Sequence, residues 1–135
     1  MRNFNFYDKL SQLNDALYNG VSDFSNWKLL DTYNGCLGLF IALYNIGNDE
    51  TLFTIKGTDV SLCCNSIFDV MEDFELWIRK TNQQFKDANN FFKEIKSKYD
   101  NIIFSGYSLS GSIAQKLGVL YGNETICFEP FATGG

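Results

Sequence analysis

The residues best placed to do chemistry lie in Asn101-Ile-Ile-Phe-Ser-Gly-Tyr-Ser-Leu-Ser-Gly-Ser112, which reads as a strand, a tight turn and the start of a helix. A serine held on such a turn stands above the end of a sheet, where it can attack an acyl carbon. The first free N–H groups of the following helix then face the negative charge that develops. Ser108 is the serine at that position, Gly106 and Ser110 flank it, and Gly111 follows. Small residues there let strand and helix approach closely. The pattern is Gly-x-Ser-x-Ser. A serine hydroxyl is a weak nucleophile at neutral pH and needs a base beside it. The chain contains no histidine, the side chain that most often supplies that base. The same spacing also suits a purely structural turn, with Ser108 and Ser110 capping the helix.

Other groups able to take the proton are few. Glu129 follows an apolar strand-like run and would lie near the turn; a carboxylate becomes an effective base only when burial raises its pKa. Lys56 would serve only if desolvated. The cysteines suggest no metal centre: Cys63 and Cys64 are adjacent, Cys36 and Cys127 sit in apolar runs, and there is no CxxC pair. We expect no metal, no cofactor, and reduced thiols in an intracellular, cytoplasmic protein.

Composition sets the wider bounds. A chain of 135 residues with 45% hydrophobic content forms one domain over residues 1–135. Thirteen Phe, seven Tyr and two Trp exceed ordinary core needs and predict some exposed apolar surface. A net charge of −5 argues against direct nucleic-acid binding and suits a basic partner. The polar N-terminus is unlike a signal peptide, and the longest apolar run, Cys36 to Tyr44, is too short for a transmembrane segment.

These residues must be positioned by an ordered set of elements. Phe6, Leu10, Leu13 and Leu17 recur at helical spacing, closed by Gly20. Runs at 27–33, 36–44 and 50–56 predict three antiparallel strands, with turn chemistry at Asn45–Asp49. The acidic stretch from Val60 to Lys80 has one apolar helical face. A second helix carries Phe85, Ala88, Phe92, Ile95 and Tyr99 on its apolar stripe. Strands at 101–106 and 125–128 flank a helix from about Ser110 to Tyr121. The expected fold is α/β: a mixed sheet whose antiparallel N-terminal meander continues into parallel strands with helical crossovers.

In this order the pieces resemble the class 3 lipase-like branch of the α/β-hydrolase family, over roughly Tyr33 to Gly135. Phe53-Thr-Ile-Lys-Gly-Thr-Asp59 is similar to that family's strand ending in Arg-Gly-Thr or Arg-Gly-Ser. Ser66-Ile-Phe-Asp-Val-Met-Glu-Asp73 resembles the segment after it. Tyr99 to Gln115 is similar to the Gly-His-Ser-Leu-Gly-Gly nucleophile elbow, and Cys127-Phe-Glu-Pro-Phe131 to the next strand and its proline loop. The resemblance implies a truncated α/β-hydrolase core, with Ser108 at the nucleophile position and the N–H groups of Thr58 and Leu109 at the oxyanion positions. It also implies that the later catalytic Asp and His are missing, together with the strands that hold them.

Two functions of different class follow. The first is a non-catalytic binding or inhibitory protein, a pseudoenzyme of the kind a phage or mobile element uses to block a host complex. The second is a serine esterase or lipase acting on an acyl ester or lipid, its triad completed by another chain or an unusual base. On the first reading Thr125, Ile126, Cys127 and Phe128 form a sheet edge. With Phe131, that edge meets a protein partner or makes a homodimer seam.

Overall fold

A computed structural model of the chain describes residues 2–56, 74–107 and 109–128. Helix α1 spans Phe4–Ala16, and the Asn3 side chain caps it by accepting the Phe6 N–H at 2.9 Å. Strands β1 (Lys28–Asn34), β2 (Phe40–Gly47) and β3 (Glu50–Ile55) form an antiparallel meander. Helix α2 (Phe74–Ile95) leads to β4 (Ile102–Tyr107), and α3 (Leu109–Tyr121) leads to β5 (Thr125–Phe128). β4 runs parallel to β3 and β5 runs parallel to β4, so the sheet order is β1-β2-β3-β4-β5. The described residues thus form a mixed five-stranded sheet with three α-helices, an α/β architecture.

The β2–β3 turn shows how the sequence writes this locally. Gly47 pairs with Glu50, and Asn48 and Asp49 between them have φ of 54° and 61°. Two left-handed residues make the type I′ turn whose twist matches a hairpin, and Asn and Asp tolerate that region better than most side chains. The β1–β2 connection differs from expectation. Cys36–Gly38 is a 3₁₀ turn rather than the start of β2, with Leu37 at φ 55° and Gly38 at φ 81°. Hydrogen bonds from the Gly35 N–H to the Leu39 carbonyl (2.8 Å) and from the Leu39 N–H to the Cys36 carbonyl (3.0 Å) close it.

Alternation along the strands splits the core into two layers. Ile41, Leu43, Phe53, Ile55, Ile102 and Phe104 face α2 and α3, while Ala42, Tyr44, Leu52 and Ile103 face α1. β3 and β4 are therefore buried on both faces, as parallel strands under helical cover are. Phe104 packs against Phe53 and Phe92 with ring centroids 5.1 and 5.0 Å apart. Much of the aromatic surplus expected at the surface is spent in this layer, where Phe91 stacks on Tyr33 at 4.5 Å. Phe4, Tyr7 and Tyr18 do remain exposed.

Helix α2 is continuous through Thr81 and Gln84, where the sequence suggested a break between two helices. Both polar side chains are buried. The Gln84 amide donates to the Leu37 carbonyl at 2.9 Å, so the polar residue ties the helix to the 3₁₀ turn. Asp87 makes a second tie: it accepts from the Tyr33 hydroxyl and, at 2.6 Å, from the Cys36 N–H. Burial pushes the Asp87 carboxyl up, but these hydrogen bonds outweigh it and leave the group below its ordinary value. The hydrogen bond to Asp87, aided by burial, pushes the Tyr33 phenol up to about 12.

At the opposite end of the sheet Arg2 joins the amino ends of β3 and β5. Its guanidinium reaches Glu50 at 2.6 and 3.0 Å and Glu124 at 3.0 Å. The Glu50 carboxyl is held below its ordinary value, chiefly by the hydrogen bond from Arg2. No helix among the described residues is long and apolar enough to cross a membrane.

Candidate functional site at the carboxyl ends of the parallel strands

β4 delivers Gly106 and Tyr107 to the turn, and α3 begins at Leu109. The strand and helix meet so closely at Gly106 that no side chain fits. A Cβ there would lie 2.6 Å from the Ser110 carbonyl carbon and 2.8 Å from the Gly111 nitrogen, both backbone atoms. Ser110 is buried, and its hydroxyl holds the junction together. The Tyr107 N–H donates to Ser110 Oγ at 2.9 Å, and the hydroxyl faces the carbonyls of Tyr107 (2.8 Å) and Ile55 (3.0 Å). A hydroxyl has one proton to donate, so these two carbonyls share it. Ser110 thus links the end of β3 to the β4–α3 turn, a use of the side chain that the Gly-x-Ser-x-Ser spacing alone did not reveal.

Deeper on the α1 face, the Ser105 hydroxyl donates to Thr54 Oγ1 at 2.9 Å, pairing two buried polar groups between β3 and β4. On the other face, Cys127 Sγ lies 3.2 Å from the Gly111 carbonyl. Gly118 brings α3 against β5, since a Cβ there would stand 3.0 Å from Thr125 Cβ. Gly106 and Gly111 thus lie against Cys127 of β5, Ser110 joins the turn to β3, and Leu109 begins α3. Ser108, Thr58, Glu129 and Phe131 lie outside the described residues.

Lys56 emerges from β3 beside this junction. Its Nζ sits 4.8 Å from the Tyr18 ring centroid and 6.0 Å from that of Phe40. A cation over aromatic faces is held by the ring quadrupoles. Tyr107 and Phe128 pair their rings at 6.1 Å across β4 and β5. The described surroundings of the turn are therefore aromatic rings, one lysine on those rings, and serine hydroxyls committed to backbone or to Thr54. This arrangement supports close packing and a contact surface; it holds no pair of groups set for proton transfer among the described residues.

β5 is the last strand in the described sheet, and Thr125, Ile126, Cys127 and Phe128 are each half-buried. Beside it α3 carries Val119 (85% exposed), while Leu120 (56% exposed) lies on the flank of α3 shared with Lys116. Neither was singled out from the sequence. The signal was present, because both continue α3 beyond the buried Ile113, Ala114 and Leu117.

No curated protein and no solved structure matches the chain. A family model does match, Mbeg1-like, over residues 30–120. That finding replaces the class 3 lipase-like reading, and with it the descriptions α/β-hydrolase-like, lipase-like, nucleophile elbow and pseudoenzyme. The physical reason is visible at the turn. Gly106 and Ser110 are fixed by strand-to-helix packing, so their spacing reports a close junction and does not by itself report a nucleophile. The match runs from β1 into the last turn of α3, well over half of the sequence, and the chain belongs to the Mbeg1-like family.

Proposed function

We propose that this is a non-catalytic binding protein, acting inside the cell, whose contact surface is the β5 edge and the adjoining end of α3. The observation that carries the reading is the lack of a base: the chain has no histidine. Lys56, the one lysine beside the described junction, lies over the Tyr18 and Phe40 rings.

Binding at the β5 edge is supported by its chemistry. Thr125–Phe128 carries no charge, and Glu124 just before it is engaged by Arg2. An edge strand without its own charges lacks a common device against pairing. Val119 extends the apolar surface beside it, so a partner would gain both strand pairing and apolar burial. The occupant is another protein chain, and a second copy is the case the purified protein can test. Light scattering across a concentration series should give a dimer, and Val119→Asp should return it to monomer with an unchanged circular dichroism spectrum. Val119 is exposed enough that the substitution leaves the fold intact. A monomer at every concentration would exclude self-association, and a dimer indifferent to Val119→Asp would remove the contact from this edge.

A further inference from the structure

Helix α1 covers one face of the sheet, and it is attached there by few polar contacts. Leu10, Leu13 and Leu17 are buried together with Tyr44, Leu52 and Ile103 of the sheet. Among those leucines lies Asn14, also buried, at 5% exposure. Its side chain has no hydrogen-bond partner among the described residues. A buried amide that loses water without gaining a hydrogen bond weakens the packing that buries it. The ends of the helix add little: no acidic residue stands in the first turn and no basic one in the last, where Asp15 opposes the dipole. Among the described residues, side-chain hydrogen bonds leave residues 2–16 for the rest of the chain at two places. Lys9 donates to Asn26, in the segment just after the helix. Arg2 grips the sheet itself. Its guanidinium makes two hydrogen bonds to Glu50, at 2.6 and 3.0 Å, and two to Glu124, both at 3.0 Å. It also lies 4.7 Å from the centroid of the Phe6 ring.

We propose that α1 is a strap: it lifts from the sheet as a unit while the sheet stays formed, and Arg2 is the latch that holds it down. The contrast with the sheet carries the inference. β3 and β4 are each paired on both sides and buried on both faces, so they open only with the whole fold. Segments with less hydrogen bonding and weaker packing open first. Two side chains set the balance in opposite senses. Asn14 lowers the cost of opening, because its amide regains water when the helix lifts. Arg2 raises it, because lifting leaves two carboxylates without the cation between them. The closed strap keeps Tyr44, Leu52 and Ile103 from water, and it covers the side of β5 on which Ile126 and Phe128 pack. Opening therefore exchanges a polar helix surface for an apolar sheet face.

Amide hydrogen exchange of the full chain at neutral pH, resolved by peptide, reads the strap directly. The amides of α1 should exchange together and about tenfold or more faster than those of β3 and β4, the mark of a local opening. Arg2→Gln should quicken exchange in α1 by about tenfold and leave β4 at the parent rate, since it removes hydrogen bonds to charged groups at the latch alone. Asn14→Leu keeps the branched skeleton of the side chain and removes the stranded amide, so it should slow exchange in α1 by about tenfold. Circular dichroism verifies that both variants fold. Exchange of α1 in step with β4, in the parent or in Arg2→Gln, would overturn the proposal, because the helix would then leave only when the whole fold does. So would an Asn14→Leu chain whose α1 exchanges as fast as the parent's, or faster. The measurement is made on the strap itself, so its outcome does not depend on whether a second copy pairs at the β5 edge.

Discussion

Phe104→Ala should lower the stability of the fold by about 3–5 kcal/mol, the usual cost of emptying a buried aromatic site. Phe104 is fully buried at the centre of the layer under α2 and α3. Its ring contacts Phe53 from the neighbouring strand and Phe92 from the helix above, so three elements lose a shared neighbour at once. β4 is central in the sheet and cannot move to fill the void without breaking its pairing with β3 or β5. For a domain whose whole stability is about 5–15 kcal/mol, this is a large fraction. Urea denaturation should show a lowered midpoint with an unchanged slope. A loss below about 1 kcal/mol, smaller than such sites ordinarily give, would mean that the aromatic layer is not packed as described.

Gly106→Ala should cost about 3 kcal/mol or more, at or beyond the upper end of ordinary overpacking. The added methyl group meets the Ser110 carbonyl carbon and the Gly111 nitrogen, which are backbone atoms of the first turn of α3. No side chain can rotate away to make room. The helix must shift, and the shift breaks the Ser110 hydroxyl contacts with Tyr107 and Ile55. The same denaturation experiment reads the loss. An alanine tolerated without cost would show that the junction is looser than the structure describes.

The fold was legible wherever local chemistry and periodicity decided it. Asn48 and Asp49 announce a left-handed turn, β5 occupies Thr125–Phe128 as expected, and β3, β4 and α3 fall within a residue of their expected limits. Departures came where distant contacts set the outcome. Cys36–Gly38 looks like strand in a window of apolar residues, yet Asp87 and Gln84, far along the chain, hold it as a turn. The sequence suggests two helical stretches on either side of Thr81 and Gln84, but both side chains are buried in one continuous helix, and the Gln84 amide bonds the Leu37 carbonyl. At the junction, the need for small residues around Gly106 and Ser110 was legible; their job was not. A short Gly/Ser pattern looks alike whether it presents a nucleophile or closes a turn. The lipase-like reading rested on that pattern in order with the pieces at 53–59, 66–73 and 127–131, and the Mbeg1-like match over residues 30–120 corrects it.

The central claim is that the protein works by contact and not by turnover. It is tested most directly by ester hydrolysis with the purified chain and with Ser108→Ala, using a short-chain p-nitrophenyl ester at neutral pH. The chain has no histidine to take the serine proton, so both proteins should hydrolyse the ester at the same rate, barely above the buffer background. Robust turnover by the parent chain that disappears in Ser108→Ala would contradict the account.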